Sequence, residues 1–169
     1  MSGLTFLALA GLAAADYTAS FGGAIPAGLS APNTAGFTNP TIQPSRGGAA
    51  ICVSGDVAVQ ASAQNVNFKF NIPANESQVT DTFLELITQG STFTQQIMGG
   101  MQMVSGNYTI ASTLCMPANG TMPSSVQLLT HGIGFDRYYW DFAPGYSYVD
   151  YAVEQGYATF SYDRLGVGE

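Results

Sequence analysis

Two stretches decide the fold: SVQLLTHGIG, residues 125–134, and YATFSYDRLGVG, residues 157–168. Each is a short, mostly apolar run that leads into a glycine-containing loop, which is typical of a buried strand followed by a turn. Between them, the apolar residues of 149–153 fall at helical spacing, with Ser147 as the expected N-cap and Gly156 as the expected stop. A strand, a helix and a second strand in this order predict a βαβ unit with parallel strands, so the sequence indicates the α/β class.

The chain upstream predicts further pieces of regular structure. Alternation of apolar and polar residues predicts a strand over 66–72 and another over 108–117. Helical spacing between them predicts a helix over 80–89 with Thr80 as its N-cap. Order is expected to begin near residue 51, because residues 16–50 are rich in Gly, Ala, Pro and Ser and suit an extended or partly disordered lead-in.

The N-terminus predicts secretion. Residues 1–15 read as a signal peptide, with an apolar run that ends in a small-residue cleavage site before Asp16; an ordinary buried helix is the alternative. The N-glycosylation motifs at Asn75, Asn107 and Asn119 favour surface loops of an extracellular protein.

The only two cysteines are Cys52 and Cys115. In an oxidising compartment they predict one disulfide, although two buried free thiols would also fit. Two cysteines and one histidine cannot form a structural zinc site of the usual spacing, so no metal and no cofactor is expected.

The charge content limits the partners. Charged residues make up 9% of the chain, and the net charge of −7 includes only four cations. Four scattered cations cannot form a phosphate-binding stripe, so nucleic acid is not an expected partner. The apolar N-terminal run is too short to span a bilayer as a mature helix, so no membrane span is expected either.

The segment from Leu128 to Phe142, with its His-Gly after a strand, and the Asp-x-x-Gly-x-Gly that begins at Asp163 resemble the α/β-hydrolase superfamily, most closely its secreted fungal hydrolases. The resemblance implies that residues 51–169 are the N-terminal part of such a domain. The sheet would then be an incomplete α/β-hydrolase sheet, holding the N-terminal strands and the first βαβ unit behind an extended N-terminal region.

The resemblance also implies roles for residues of the two loops. The backbone N–H of Ile133, in a loop shaped by Gly134, would stabilise an oxyanion, although an ordinary tight turn is the alternative. The other residues would shape the loops and take no direct part in catalysis: His131, Gly132, Asp163 and Gly166. Asp136, Arg137 and Trp140 are expected to pack and pair around the first loop.

No catalytic triad is expected within the chain. The nucleophile motif G-x-S-x-G is absent, and the family's nucleophile, acid and histidine would all follow Glu169. The strand at 157–162 would then be exposed and lack its neighbours. The intact enzyme would cleave an ester or related acyl bond in a small-molecule or lipid-like substrate, and this chain would be inactive alone. The alternative is a non-catalytic secreted glycoprotein, or pseudoenzyme remnant, that acts by binding. A dinucleotide-binding fold is not favoured, because the third glycine of its motif is missing.

Overall fold

A computed structural model describes residues 20–21 and 32–168. The predicted signal peptide, residues 1–15, and most of the lead-in before residue 32 lie outside the described residues. The described part of the chain forms a mixed β-sheet with a few helices, which agrees with the α/β class. The strands are β1 (Ser20–Phe21), β2 (Thr38–Pro44), β3 (Ala50–Phe68), β4 (Met98–Pro117), β5 (Val126–Thr130), β6 (Asp141–Ala143), β7 (Tyr146–Ser147) and β8 (Ala158–Tyr162). The helices are α1 (Glu76–Ile87), α2 (Phe93–Ile97), a 3-10 helix (Arg137–Trp140) and α3 (Tyr148–Glu154).

The main sheet has the strand order β1-β2-β3-β4-β8-β5, and β6 and β7 form a separate small ladder. β5 and β8 are parallel neighbours, paired from Val126 with Ala158 to Thr130 with Tyr162. They are connected through α3, so the predicted βαβ unit is confirmed. β2 is antiparallel to β3, and β8 is antiparallel to β4, which makes the sheet mixed.

The chain divides into two compact units. The first contains the described residues up to Val59 and those from Thr109 onward, and the second is Gln60–Tyr108. β3 and β4 each contribute residues to both units.

The core of the first unit lies on the two faces of its sheet. Side chains alternate between faces along a strand. Ala50 and Cys52 of β3 therefore pack with Val149 and Val153 of α3, while Ile51 and Val53 form a separate cluster with Ile42. The predicted disulfide is present and joins Cys52 of β3 to Cys115 of β4, its neighbour in the sheet.

Helix α3 begins and ends where the sequence predicts. The Ser147 hydroxyl accepts a hydrogen bond from the Asp150 N–H at 3.0 Å, which caps the helix. Gly156 adopts a φ of +85°, a conformation that glycine allows at no steric cost, and the chain turns there toward β8.

Several predicted boundaries are wrong. Regular structure begins before residue 51, because β2 pairs with β3 and buries Ile42. The strand expected over 66–72 ends at Phe68 and begins at Ala50. β4 begins at Met98, although the Gly- and Met-rich residues 98–107 have no strand pattern, because its place beside β3 overrides the weak local propensity.

The N-cap predicted for the first helix is also wrong. Asn75 caps α1 by accepting from the Gln78 N–H at 3.0 Å, and the Gln78 side chain accepts in return from the Ala74 N–H at 2.8 Å. This reciprocal arrangement starts the helix at Glu76. The Thr80 hydroxyl instead donates to the Glu76 carbonyl at 3.0 Å, inside the helix.

The strand at 157–162 is not an exposed strand without neighbours. β8 lies between β4 and β5, and Ala158, Thr159 and Ser161 are buried. β4 pairs with β8 in the antiparallel direction, and the sequence pattern did not predict this pairing. β5 is the edge strand, with Leu128 68% exposed.

The turn between β2 and β3 is held by the carboxylate of Asp150 on α3. This carboxylate accepts from the Ser45 hydroxyl, from the Gly47 N–H at 2.8 Å and from the Ala49 N–H at 3.0 Å. A Cβ at Gly47 would collide with this carboxylate, so a larger residue there would displace Asp150 from the turn. Asp150 therefore fixes the turn against the start of α3.

All three glycosylation-motif asparagines are exposed, and glycosylation stays a prediction. Asn75 caps α1 and Asn119 lies in a turn, where its side chain accepts from the Thr121 N–H at 2.9 Å. Asn107 lies within β4 and not in the surface loop that its motif suggests. Among residues 32–168, no helix has the length and apolarity needed to cross a membrane.

We expect the Cys52→Ala/Cys115→Ala variant to lose roughly 4 kcal/mol of unfolding free energy, because the lost cross-link frees a long loop in the unfolded chain. The two cysteines are 63 positions apart in sequence. Urea unfolding of the oxidised protein and of the variant measures the difference. Added reductant should destabilise the wild type and leave the variant unchanged; equal stability of the two proteins would contradict the prediction.

Asp150→Ala is expected to lower the unfolding free energy by about 2 kcal/mol, because three donors in the turn lose a charged acceptor. Glu154→Ala is the matched control, since Glu154 is an exposed carboxylate at the end of the same helix. Thermal and urea unfolding compare the three proteins, and an equal effect of both substitutions would show that the turn does not depend on Asp150.

Candidate functional site

A cleft of the first unit lies at the carboxyl ends of β5 and β8. Loops that follow parallel strands meet at this edge of a sheet, and ligands of α/β proteins commonly bind there. The cleft measures about 1090 Å³, close to the upper range of small-molecule sites. Residues 134–142 form one wall and Gly166–Gly168 another, with Arg46 beside them.

His131 connects the two loops. It is 3% exposed; its Nε2 accepts from the Arg164 N–H at 3.1 Å and its Nδ1 lies 2.8 Å from the Gly132 carbonyl oxygen. Since Nε2 accepts a hydrogen bond, the proton resides on Nδ1, which donates to Gly132. Both ring nitrogens are therefore engaged by backbone, and the chain's only histidine is not placed to act as a general base.

Arg137 and Asp163 form a second link between the loops. Their side chains are 6% and 3% exposed and form an ion pair through Nη1 and Oδ2. Asp163 Oδ1 also accepts from the Arg137 backbone N–H at 2.7 Å. The guanidinium lies over the Tyr138 ring, with Cζ 4.5 Å from its centroid. The expected pairing within the first loop thus extends to the end of β8.

Glycines in the loop that follows β8 let the backbone pass close to the buried ion pair. A Cβ at Gly168 would collide with the Asp163 carboxylate, so the chain passes directly over this buried ion pair. Gly166 has a φ of +87°, and it lines the cleft together with Gly168.

The expected oxyanion residues, Ile133 and Gly134, lie in the loop that follows β5. Gly134 lines the cleft with a φ of +81°. The Ile133 side chain is 90% exposed and does not line the cleft. Within the described part of the chain, the backbone N–H groups of Ile133 and Gly134 donate no hydrogen bond to protein. They remain available as donors to a ligand.

Aromatic rings line much of the cleft and continue beyond it. Phe135 and Tyr139 have centroids 4.7 Å apart, and Tyr139 meets Trp140 edge to face at 5.1 Å. Phe142, which also lines the cleft, is 75% exposed. The cleft therefore offers apolar and aromatic surface to a ligand.

Sequence reasoning missed several cleft residues. The aromatic spacing of RYYWDF, residues 137–142, could have indicated Tyr138, Tyr139 and Phe142. No sequence signal places Arg46 there, because it comes from the β2–β3 turn. Its backbone N–H donates to both Asp141 carboxylate oxygens, at 3.0 and 3.1 Å, and so fixes the turn to the cleft wall.

The described residues include neither a metal-binding cluster nor a hydroxyl paired with His131. No group of three His, Cys, Asp or Glu side chains among residues 32–168 is arranged to hold a metal ion. The cysteines are in the disulfide, and no described serine or threonine side chain bonds to His131. The cleft offers apolar surface to a ligand, and Gly134, whose backbone N–H has no protein acceptor, lies in its wall.

Asp163→Asn is expected to lower the unfolding free energy by about 3 kcal/mol or more, because the buried guanidinium loses its counter-charge. Urea unfolding measures the loss. The Arg137→Met/Asp163→Leu variant, which removes both charges, should lose less than the single variant. Asp81→Asn, on the exposed surface of α1, is the charge-matched control. Equal stability of Asp163→Asn and this control would contradict the prediction.

Comparison of the chain with models of protein families, with curated proteins and with solved structures finds no match. Evidence for a function therefore comes from the motifs and from the geometry of the cleft.

Proposed function

We propose that this chain is the N-terminal part of a secreted α/β-hydrolase whose intact form cleaves an ester or related acyl bond. The observation that carries the proposal is the pair of free N–H groups at Ile133 and Gly134, at the carboxyl end of β5. His131 and the Arg137–Asp163 pair hold the loop on either side of these groups. A rigid loop with unpaired donors beside a cleft suits an oxyanion site.

In such an enzyme the backbone N–H donors act when negative charge develops on the carbonyl oxygen of the substrate. Attack of a serine on an ester carbonyl places negative charge on the carbonyl oxygen, and each prearranged N–H donor contributes about 2.7–4 kcal/mol to this step. The N–H of Ile133 would supply one donor, and the residue after the nucleophile would supply the second. The serine, acid and catalytic histidine would come from sequence that follows Glu169.

The cleft lining favours an apolar or aromatic substrate group. Tyr139 and Phe142 offer ring surface, and Val167 adds an aliphatic wall. Lipid-like and aryl esters carry groups of this kind.

Sequencing the transcript through the codon for Glu169 tests the hydrolase proposal first. An in-frame continuation into G-x-S-x-G supports it, and a stop codon directly after Glu169 overturns it. In the continued protein, Ile133→Pro removes the proposed donor and should lower kcat for 4-nitrophenyl butyrate about 100-fold or more. Ile133→Ala keeps the N–H and serves as the control; equal kcat in the two variants would remove Ile133 from the oxyanion site.

The second candidate function is binding without catalysis. The cleft is formed within the described residues, whereas no serine or threonine hydroxyl among them bonds to His131. A short secreted glycoprotein could therefore hold an aromatic ligand between the two loops.

Calorimetric titration of the chain with 1-naphthol tests the binding function. Phe142→Ala should weaken binding about fivefold, because a ring contact contributes about 1 kcal/mol. Tyr146→Ala is the control, since Tyr146 is 79% exposed and lies outside the cleft lining. Absence of measurable 1-naphthol binding, or equal weakening by both variants, would exclude this cleft as the binding site.

A further inference from the structure

The second unit, Gln60–Tyr108, carries many apolar side chains but has no core. None of its residues is buried. Eleven of its large hydrophobic side chains are at least 40% exposed. A folded segment normally gains stability by removing such groups from water, so this unit presents an unusual amount of uncovered apolar surface.

Helix α1 concentrates this surface on one side. Its apolar residues recur at helical spacing and define what we name the α1 face: Val79, Phe83, Leu84, Leu86 and Ile87. All five are between 48% and 60% exposed. Asp81 and Glu85 lie on the opposite side of the helix, because their positions are offset from Phe83 by about half a turn.

The rest of the unit does not cover the α1 face. α1 packs with α2, and Phe70 contacts Phe93 of α2 edge to face at 5.8 Å, yet no residue of either helix is buried. A helix as short as α1 is only marginally stable in water without tertiary packing.

β4 adds adaptable apolar groups. Met101 and Met103 project from the same side of the strand, because side chains alternate, and they are 60% and 63% exposed. Methionine and aromatic residues are enriched in protein interfaces, where charged residues are depleted.

We propose that the second unit is a dimerisation surface, centred on the α1 face, for a second copy of this chain. Together, the eleven exposed side chains of the unit offer on the order of 800 Å² of apolar surface, about what each partner buries in a standard interface, so the proposed dimer must cover most of them and not the α1 face alone. In a two-fold pair the two α1 faces meet, and the acidic sides of the helices point away from each other.

The charge pattern separates a second copy from a lipid surface. Helices that lie on membranes carry Lys and Arg on their polar side. The polar side of α1 carries Asp81 and Glu85, and the helix has no basic residue. An anionic bilayer would repel these acids. In a dimer they would lie outside the contact between the two α1 faces.

Sedimentation of the full chain from about 1 to 100 µM tests the proposal, this being the range in which a dimer of ordinary strength forms. We expect a species of twice the chain's 17.7 kDa mass. Phe83→Asp/Ile87→Asp should weaken association roughly 100-fold or more, because it places four charges in a symmetric interface. Both positions are more than half exposed in the single chain, so the variant is expected to fold, which circular dichroism checks.

Asp81→Lys/Glu85→Lys is the matched control, because it changes two charges on the opposite side of the same helix, and it should leave the dimer intact. A monomer at every concentration would overturn the proposal. A dimer that the Phe83→Asp/Ile87→Asp variant does not weaken would place the interface elsewhere. Flotation of a monomer with phosphatidylcholine vesicles would assign the surface to lipid. None of these outcomes bears on the cleft, so the hydrolase proposal stands or fails separately.

Discussion

The buried carboxylate of Asp163 holds the first unit together at the end of its sheet. Its own backbone N–H donates to the Ala111 carbonyl of β4 at 2.9 Å, and its side chain binds both the backbone and the guanidinium of Arg137. Gly168 passes directly over it. A buried charge is costly unless it is paired and hydrogen-bonded, so the loops that surround this carboxylate have little freedom to rearrange.

The rigidity of these loops gives the cleft its chemical character. Where a backbone is held from both sides, N–H groups that lack protein acceptors keep a fixed direction, and a fixed donor costs little to reorganise when a ligand arrives. The His131 ring forms hydrogen bonds only to backbone groups of the two loops. A lone histidine is easily taken for a catalytic base, but here it links one loop to the other.

The parts of the fold that could be predicted are those that local pattern encodes. The βαβ unit, the Ser147 cap and the Cys52–Cys115 bridge follow from spacing, capping chemistry and cysteine count. The parts that could not be predicted depend on distant partners. Residues 98–107 become a strand only beside β3, and Arg46 reaches the cleft only because Asp141 and Asp150 hold the turn that carries it.

The position of β8 between β4 and β5 determines when the sheet can be completed during synthesis on the ribosome. Both neighbours of β8 leave the ribosome before it, and they are not paired with each other, so the sheet stays in two pieces until Ala158–Tyr162 emerges. Cys52 and Cys115 precede that point, and at ordinary translation rates they are available on the order of a few seconds earlier. Oxidation during this interval would lock β3 against β4 and present the nascent β8 with a preformed template.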